Sequence, residues 1–240
     1  CLVGGSPAGL GILPPLVDDS PSGEAGDQAA SFDGTAAGGI GYWEDTYGKI
    51  NYDDQDYTLE AWVKIGEGGP SPGNSKGMIL GYGIPGGYSM WISEDGTLGG
   101  TTYGIADLLT DAVVPATGWH HVAQVHQVGT EVRFYIDGEL AQTLDYANGV
   151  SPTTDNNLYV GYERGSGDPL NPFNGLIDRV RITGSALTPA EFDMAGVVQR
   201  PVITIVNNGD GTVTLTWDGG GVLEVATEIT GPWQVLEGAE

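Results

Sequence analysis

An aspartate set within an apolar alternation is the residue in this sequence whose surroundings most require chemistry. In Leu176-Ile-Asp-Arg-Val-Arg-Ile182 a period of two places Asp178 beside Leu176, Val180 and Ile182, on the side that a core would take. A lone carboxylate facing inward is costly unless it is paired, hydrogen-bonded or bound to metal. Three partners could neutralise it: Arg179 or Arg181, which point the other way, backbone N–H groups in a turn, or a hard cation that takes carboxylate and carbonyl oxygens.

Other chemistry-bearing residues read as structural. Asp53, Asp54 and Asp56 form an acidic cluster without the glycine and glutamate spacing of an EF-hand loop, so a solvated turn is expected. His120 and His126 share a strand face but lie roughly 20 Å apart along it, too far for one zinc ion with ligands at ~2 Å, and His121 faces away. Gly73-Asn-Ser-Lys-Gly77 has the outline of a nucleophile elbow, yet it follows Pro70-Ser-Pro72 with no strand before it and no helix after it. A retaining glycosidase needs two carboxyl groups about 5–5.5 Å apart. Glu44-Asp45 and Glu94-Asp95 are adjacent pairs, which on a strand would point to opposite faces, so no catalytic residues are assigned. Sugar binding instead needs aromatic faces with a few orienting polar groups, and Trp43, Tyr82, Trp91 and Tyr103 are the candidates.

The elements that must position these residues are strands. Thr58-Leu-Glu-Ala-Trp-Val-Lys-Ile65 puts Leu59, Ala61, Val63 and Ile65 on one face, and Glu131-Val-Arg-Phe-Tyr-Ile-Asp137 does the same with Val132, Phe134 and Ile136. Asp137-Gly138 supplies the positive-φ turn of a tight hairpin returning through 139–144. Further strands are expected at 78–82, 88–92, 121–128, 157–162 and 176–182. This many strands require two stacked sheets or a barrel, an all-β class. One short helix is signalled by Thr188 as N-cap, Pro189 at the first helical position and Glu191 closing a capping box, and it should stop near Gly196. Residues 1–27, rich in Gly, Pro, Ser and Ala, read as an arm or linker with an apolar patch at 10–17. A small β unit of some four strands follows over 201–240.

Five segments in order resemble one family: Ser31-Phe-Asp-Gly34, Tyr57-Thr-Leu-Glu-Ala-Trp-Val63, Gly118-Trp-His-His-Val-Ala123, Phe134-Tyr-Ile-Asp-Gly138, and Phe173 to Ile182 followed by Ala186-Leu-Thr-Pro-Ala-Glu-Phe192. They are similar to LamG-like domains of the concanavalin A-like lectin/glucanase superfamily over roughly 28–197. The resemblance implies a jelly-roll sandwich of two antiparallel sheets in a secreted or surface-attached bacterial protein. It further implies a structural Ca²⁺ between the Phe-Asp-Gly segment and the last strand, with Asp33, the Gly34 carbonyl and Asp178 as ligands. The 201–240 unit resembles the short β modules that follow such domains in large surface proteins.

Composition narrows the partners. The chain has 240 residues, with 8 Lys+Arg against 32 Asp+Glu for a net charge of -24. Nucleic acid and anionic lipid surfaces are excluded as partners, because both are bound through Lys and Arg. Nothing approaches the ~20 consecutive apolar residues of a membrane helix. Cys1, the only cysteine, suits lipoprotein processing with a thioether anchor, and equally a proteolytic boundary. The first functional reading is a non-catalytic recognition or adhesion module, stabilised by Ca²⁺, that binds a glycan or a surface protein from loops on a rigid sandwich. The alternative is a subunit of a homopolymeric filament, in which the 10–17 arm adds as a strand to a neighbour. A polysaccharide hydrolase or lyase ranks last for want of an acid/base pair.

Overall fold

Alternation in β4 (Tyr57–Ile65) divides its side chains between two environments, and the sandwich follows from that division. Leu59, Ala61 and Val63 enter a core shared with a second sheet, whereas Glu60 and Trp62 enter a smaller cluster on the outer side. The computed structural model of the protein describes residues 14–35, 40–43, 50, 52, 54–83, 86–153, 157–164, 169–194, 203–210, 212–217, 224–225 and 234–235.

One sheet runs in the order β1 (Leu16–Val17), β2 (Ala29–Asp33), β15 (Asn174–Thr183), β4, β9 (His120–Gln127), β10 (Glu131–Ile136) and β11 (Glu139–Asp145). The other contains β3 (Ile40–Trp43), β12 (Asn157–Val160), β5 (Lys76–Tyr82), β6 (Tyr88–Ser93), β7 (Leu98–Thr102) and β8 (Ala106–Leu108). Every pairing in both sheets is antiparallel, and so is the separate short pair β13 (Glu163–Arg164) and β14 (Pro169–Leu170). The expected jelly-roll sandwich is the observed architecture.

Between the sheets the core combines groups of packed aromatic rings with aliphatic side chains. Tyr57 and Tyr88 stack at 4.4 Å, His126 stacks on Tyr57 at 4.7 Å, and all three are sealed from solvent. Phe32 meets Phe173 edge to face at 6.5 Å. Gly161, at φ 80°, lets Phe32 in: a Cβ there would stand 2.0 Å from the ring. Burying each such side chain contributes roughly 1.5–3 kcal/mol, which the ordering of the strands offsets in large part.

Three sequence expectations are corrected. Asp178 does not face the core. Between Asp178 and Arg181 the register with β4 shifts, so that Arg179 (φ 48°) and Val180 together oppose Ala61. This β-bulge breaks the alternation: Ile177 and Ile182 reach the core, while Asp178 lies opposite Trp62 on the outer side. Second, the helix over 189–196 is a single 3-10 turn, Pro189–Glu191. The Glu191 carboxylate accepts from the Thr188 N–H and hydroxyl, both at 2.8 Å, but Phe192 then turns extended to bury its ring against Tyr135. Third, the arm is seated from residue 14 onward. Leu16–Val17 pairs with β2 of its own chain, and Asp19 anchors it through Lys64 at 2.6 Å and the Trp119 indole N–H at 2.9 Å. That pairing uses part of the strand proposed for donation to a neighbour; Cys1 and residues 10–13 lie outside the described residues.

A second unit, Val197–Glu240, is described by itself. It contains a hairpin of β16 (Ile203–Asn207) and β17 (Val213–Trp217), and a pair of two-residue strands, β18 (Glu224–Val225) and β19 (Gln234–Val235). Among the described residues no helix is long and apolar enough to cross a membrane.

Candidate functional site

Strand β6 sends Tyr88, Met90 and Ile92 into the core, so Ser89, Trp91 and Ser93 point to the outer face of the six-stranded sheet. Trp91 lies opposite Gly99 of β7, and a Cβ on Gly99 would come within 2.4 Å of the indole. The missing side chain is therefore what lets the ring lie against the sheet. Its Nε1–H donates to Thr101 Oγ1 at 3.0 Å, and the Thr101 hydroxyl donates to Asp107 Oδ1 at 2.6 Å. Lys76 sits over the ring, 5.2 Å from its centroid, with its ammonium 4.0 Å from Asp107.

An open trough of about 420 Å³ passes Trp91. Ser75, Ser93, Thr97 and Thr110 supply hydroxyls along it, and Leu109, 67% exposed, closes one side. Glu94 and Asp95 complete the lining from the β6–β7 turn. Asp95 organises that turn by accepting, through Oδ1 alone, from the Ser93 hydroxyl and from the Thr97 N–H and hydroxyl at 3.2 and 2.8 Å. The Ser93 and Thr97 hydrogen bonds hold the Asp95 carboxyl below the usual carboxylate range. The sequence reading separated Glu94 from Asp95 on strand geometry. They occupy a turn instead, which brings both to one trough. Both are exposed, and a glycosidase acid needs a raised pKa from burial or a neighbouring charge, which lowered Asp95 does not have.

The four aromatic candidates separate. Trp91 lines the trough with 4% of its surface exposed, Lys76 lying over its ring. Tyr82 is fully buried in the core, tilted against Tyr88 at 5.6 Å, so its ring has no face for a sugar. Tyr103 is partly exposed, but its hydroxyl is buried near Ser89 and Glu163; burial and the Glu163 charge push it well above the usual tyrosine range. Trp43 ends β3 opposite Asn157, and its side chain lies outside the described residues. Ser75 reaches the trough from a loop that leads into β5, with no helix after it, so the elbow-like pattern has no elbow geometry.

The Asp33, Gly34 and Asp178 set does not fit one cation. Asp33 pairs in register with Asn174, four residues from Asp178 along β15, a separation of roughly 13 Å. Asp33 Oδ1 accepts from the Thr35 N–H and hydroxyl at 2.9 and 2.7 Å, and the Gly34 N–H donates to the Phe173 carbonyl. Asp178 Oδ1 accepts from the Arg179 N–H at 2.8 Å, while its Oδ2 is buried without a partner. Burial raises the Asp178 pKa, and the charges of Asp27 and Asp193 add to that. Among the described residues no group of three or more His, Cys, Asp or Glu is arranged to hold a metal.

Sequence reasoning missed a buried polar cluster on the outer face of the seven-stranded sheet. Glu60 and His121 are both fully buried and meet through Oε2 and Nε2 at 2.9 Å. Glu60 also accepts from the Arg181 guanidinium and from the Asp193 N–H, and the Trp62 indole donates to the Asp193 carbonyl at 3.0 Å. Burial would raise the Glu60 pKa, but the hydrogen bonds from His121 and Arg181 outweigh it and keep it low. An ionised carboxylate only accepts, so Nε2 carries the His121 proton. The cluster fastens the segment after β15 over Trp62. Glu60 and His121 are sealed from solvent, the Arg181 side chain is 39% exposed, and the cluster serves as a latch.

The sequence model of Laminin_G_3, described as the concanavalin A-like lectin/glucanases superfamily, matches residues 41–192, more than half of the 240. The chain belongs to that superfamily. No curated protein is significantly similar to it in sequence. Among solved structures, the CBM40 module of Ruminococcus gnavus IT-sialidase bound to α2,3-sialyllactose matches with a TM-score of 0.52 at 19% identity, over 64% of this chain and 90% of that one. Domain 4 of AbnA, a GH43 extracellular arabinanase of Geobacillus stearothermophilus in complex with arabinotriose, gives 0.53 at 22% identity, over 73% and 77%. The binding domain of Paraclostridial Mosquitocidal Protein 1 gives 0.55 at 16% identity, over 76% and 45%. At these identities the superfamily likeness extends to fold alone.

Proposed function

We propose that this member of the concanavalin A-like superfamily is a non-catalytic, extracellular glycan-recognition module, and that the trough beside Trp91 is its binding site. One observation carries the reading: the Trp91 indole, held by Gly99 and Thr101 with 4% of the residue exposed, lines an open groove whose walls present four hydroxyls and two carboxylates. An aromatic with a few convergent polar groups is the composition of a sugar site. The sialyllactose and arabinotriose complexes of fold neighbours support the class of ligand. Titration against a glycan microarray, followed by calorimetry on the purified chain, tests the proposal. The expected result is a retained oligosaccharide whose binding is lost in Trp91→Ala. A chain that retains no glycan, or one whose binding survives that substitution, refutes it.

A further inference from the structure

Resting on that reading, we infer that the trough takes uncharged glycans and rejects those bearing carboxylates, such as sialic or uronic acids. The trough is lined by Glu94 and Asp95 and by no basic residue. Among the described residues, an acidic sugar also finds no spare cation nearby. Each basic side chain the structure describes in the sandwich is within 4.0 Å of a carboxylate: Lys64 with Asp19, Lys76 with Asp107, Arg133 with Glu131, Arg179 with Asp27 and Arg181 with Glu60. Lys76, the one beside Trp91, is held over the ring and 4.0 Å from Asp107, with its side chain 19% exposed.

A neutral sugar meets a different environment. Its hydroxyls donate to carboxylate oxygens in charge-assisted bonds, and Asp95 uses only Oδ1 within the turn. Bringing a sugar carboxylate near two like charges at a water-exposed site weakens binding by about tenfold at low salt, and screening reduces the penalty as salt rises. The net charge of -24 acts in the same direction on approach.

The test uses the full chain on an array of matched oligosaccharide pairs, lactose with 3′-sialyllactose and neutral oligomers with their uronic counterparts, at low and high salt. The expected result is retention of neutral members, acidic partners about tenfold weaker at low salt, and a gap that narrows at high salt and in Glu94→Gln. Glu94 is exposed, so this substitution leaves folding intact, which circular dichroism verifies. Equal or tighter binding of acidic members at low salt overturns the inference while leaving the glycan site standing, and so does a ratio unmoved by Glu94→Gln. Absence of binding by every member, neutral and acidic, overturns the parent reading and this one with it.

Discussion

The Glu60 carboxylate and the His121 imidazole meet at 2.9 Å with both residues fully buried, beneath the segment that ends in Phe192 and Asp193. Removing one partner of a buried charged cluster leaves the others desolvated and unpaired, at a cost of about 3–5 kcal/mol. Glu60→Gln is therefore expected to lower unfolding free energy by that order in urea. Arg181→Ala, which leaves the buried Glu60 carboxylate without its guanidinium, should cost a comparable amount, although the Arg181 side chain is itself 39% exposed. A loss below about 1 kcal/mol in either variant would show that the cluster is not the latch described.

Acid should destabilise the sandwich through His126. Burial among Tyr57 and Tyr146 depresses its pKa from 6.5 to about 4, against the opposing pull of Asp56. The unfolded chain therefore binds this proton first as pH falls. The stabilisation is complete above about pH 6.5 and is lost as pH falls to about 4, a change of roughly 3 kcal/mol. His126→Phe, which keeps the ring stack, should flatten that limb of the stability profile. Parallel profiles for the two proteins would remove His126 as the cause.

Asp178 titrates in the opposite sense, because burial raises its folded pKa above 3.8, so its charged form opposes folding and protonation relieves it. Asp178→Asn should raise the melting temperature at neutral pH, with the gain fading in acid. Since Asp33 lies four residues of strand away from Asp178, chelation with EGTA should leave the melt of both proteins unchanged. A melting temperature that drops on chelation in the parent but not in the variant would show that these residues do share a cation.

Gly99→Ala probes the proposed sugar site without touching a contact residue. A methyl group 2.4 Å from the Trp91 ring must displace the indole, so a tryptophan fluorescence shift is expected, with at least tenfold weaker glycan binding and a stability cost of about 1–3 kcal/mol. Unchanged fluorescence with intact binding would mean that the ring does not rest on this glycine.

Local alternation in 58–65 and 131–136, the Asp137-Gly138 turn and the five ordered motifs determine the sandwich from sequence alone, because each strand needs one greasy face and each hairpin its turn residues. Alternation also determines that Trp91 and Ser93 share a face. It does not reveal which face is covered. Leu59 and Glu60 alternate as if core and solvent, yet both are sealed, because the segment after β15 folds back over the outer side. Only the fold decides this, as it decides the bulge that turns Asp178 away from the core and the turn that brings Glu94 and Asp95 to one trough. A period of two describes an unbroken strand. The bulge and the covering segment depend on contacts between residues more than a hundred positions apart, such as Glu60 with Arg181, which no local pattern encodes, whereas the Asp95 turn is held by its neighbours Ser93 and Thr97.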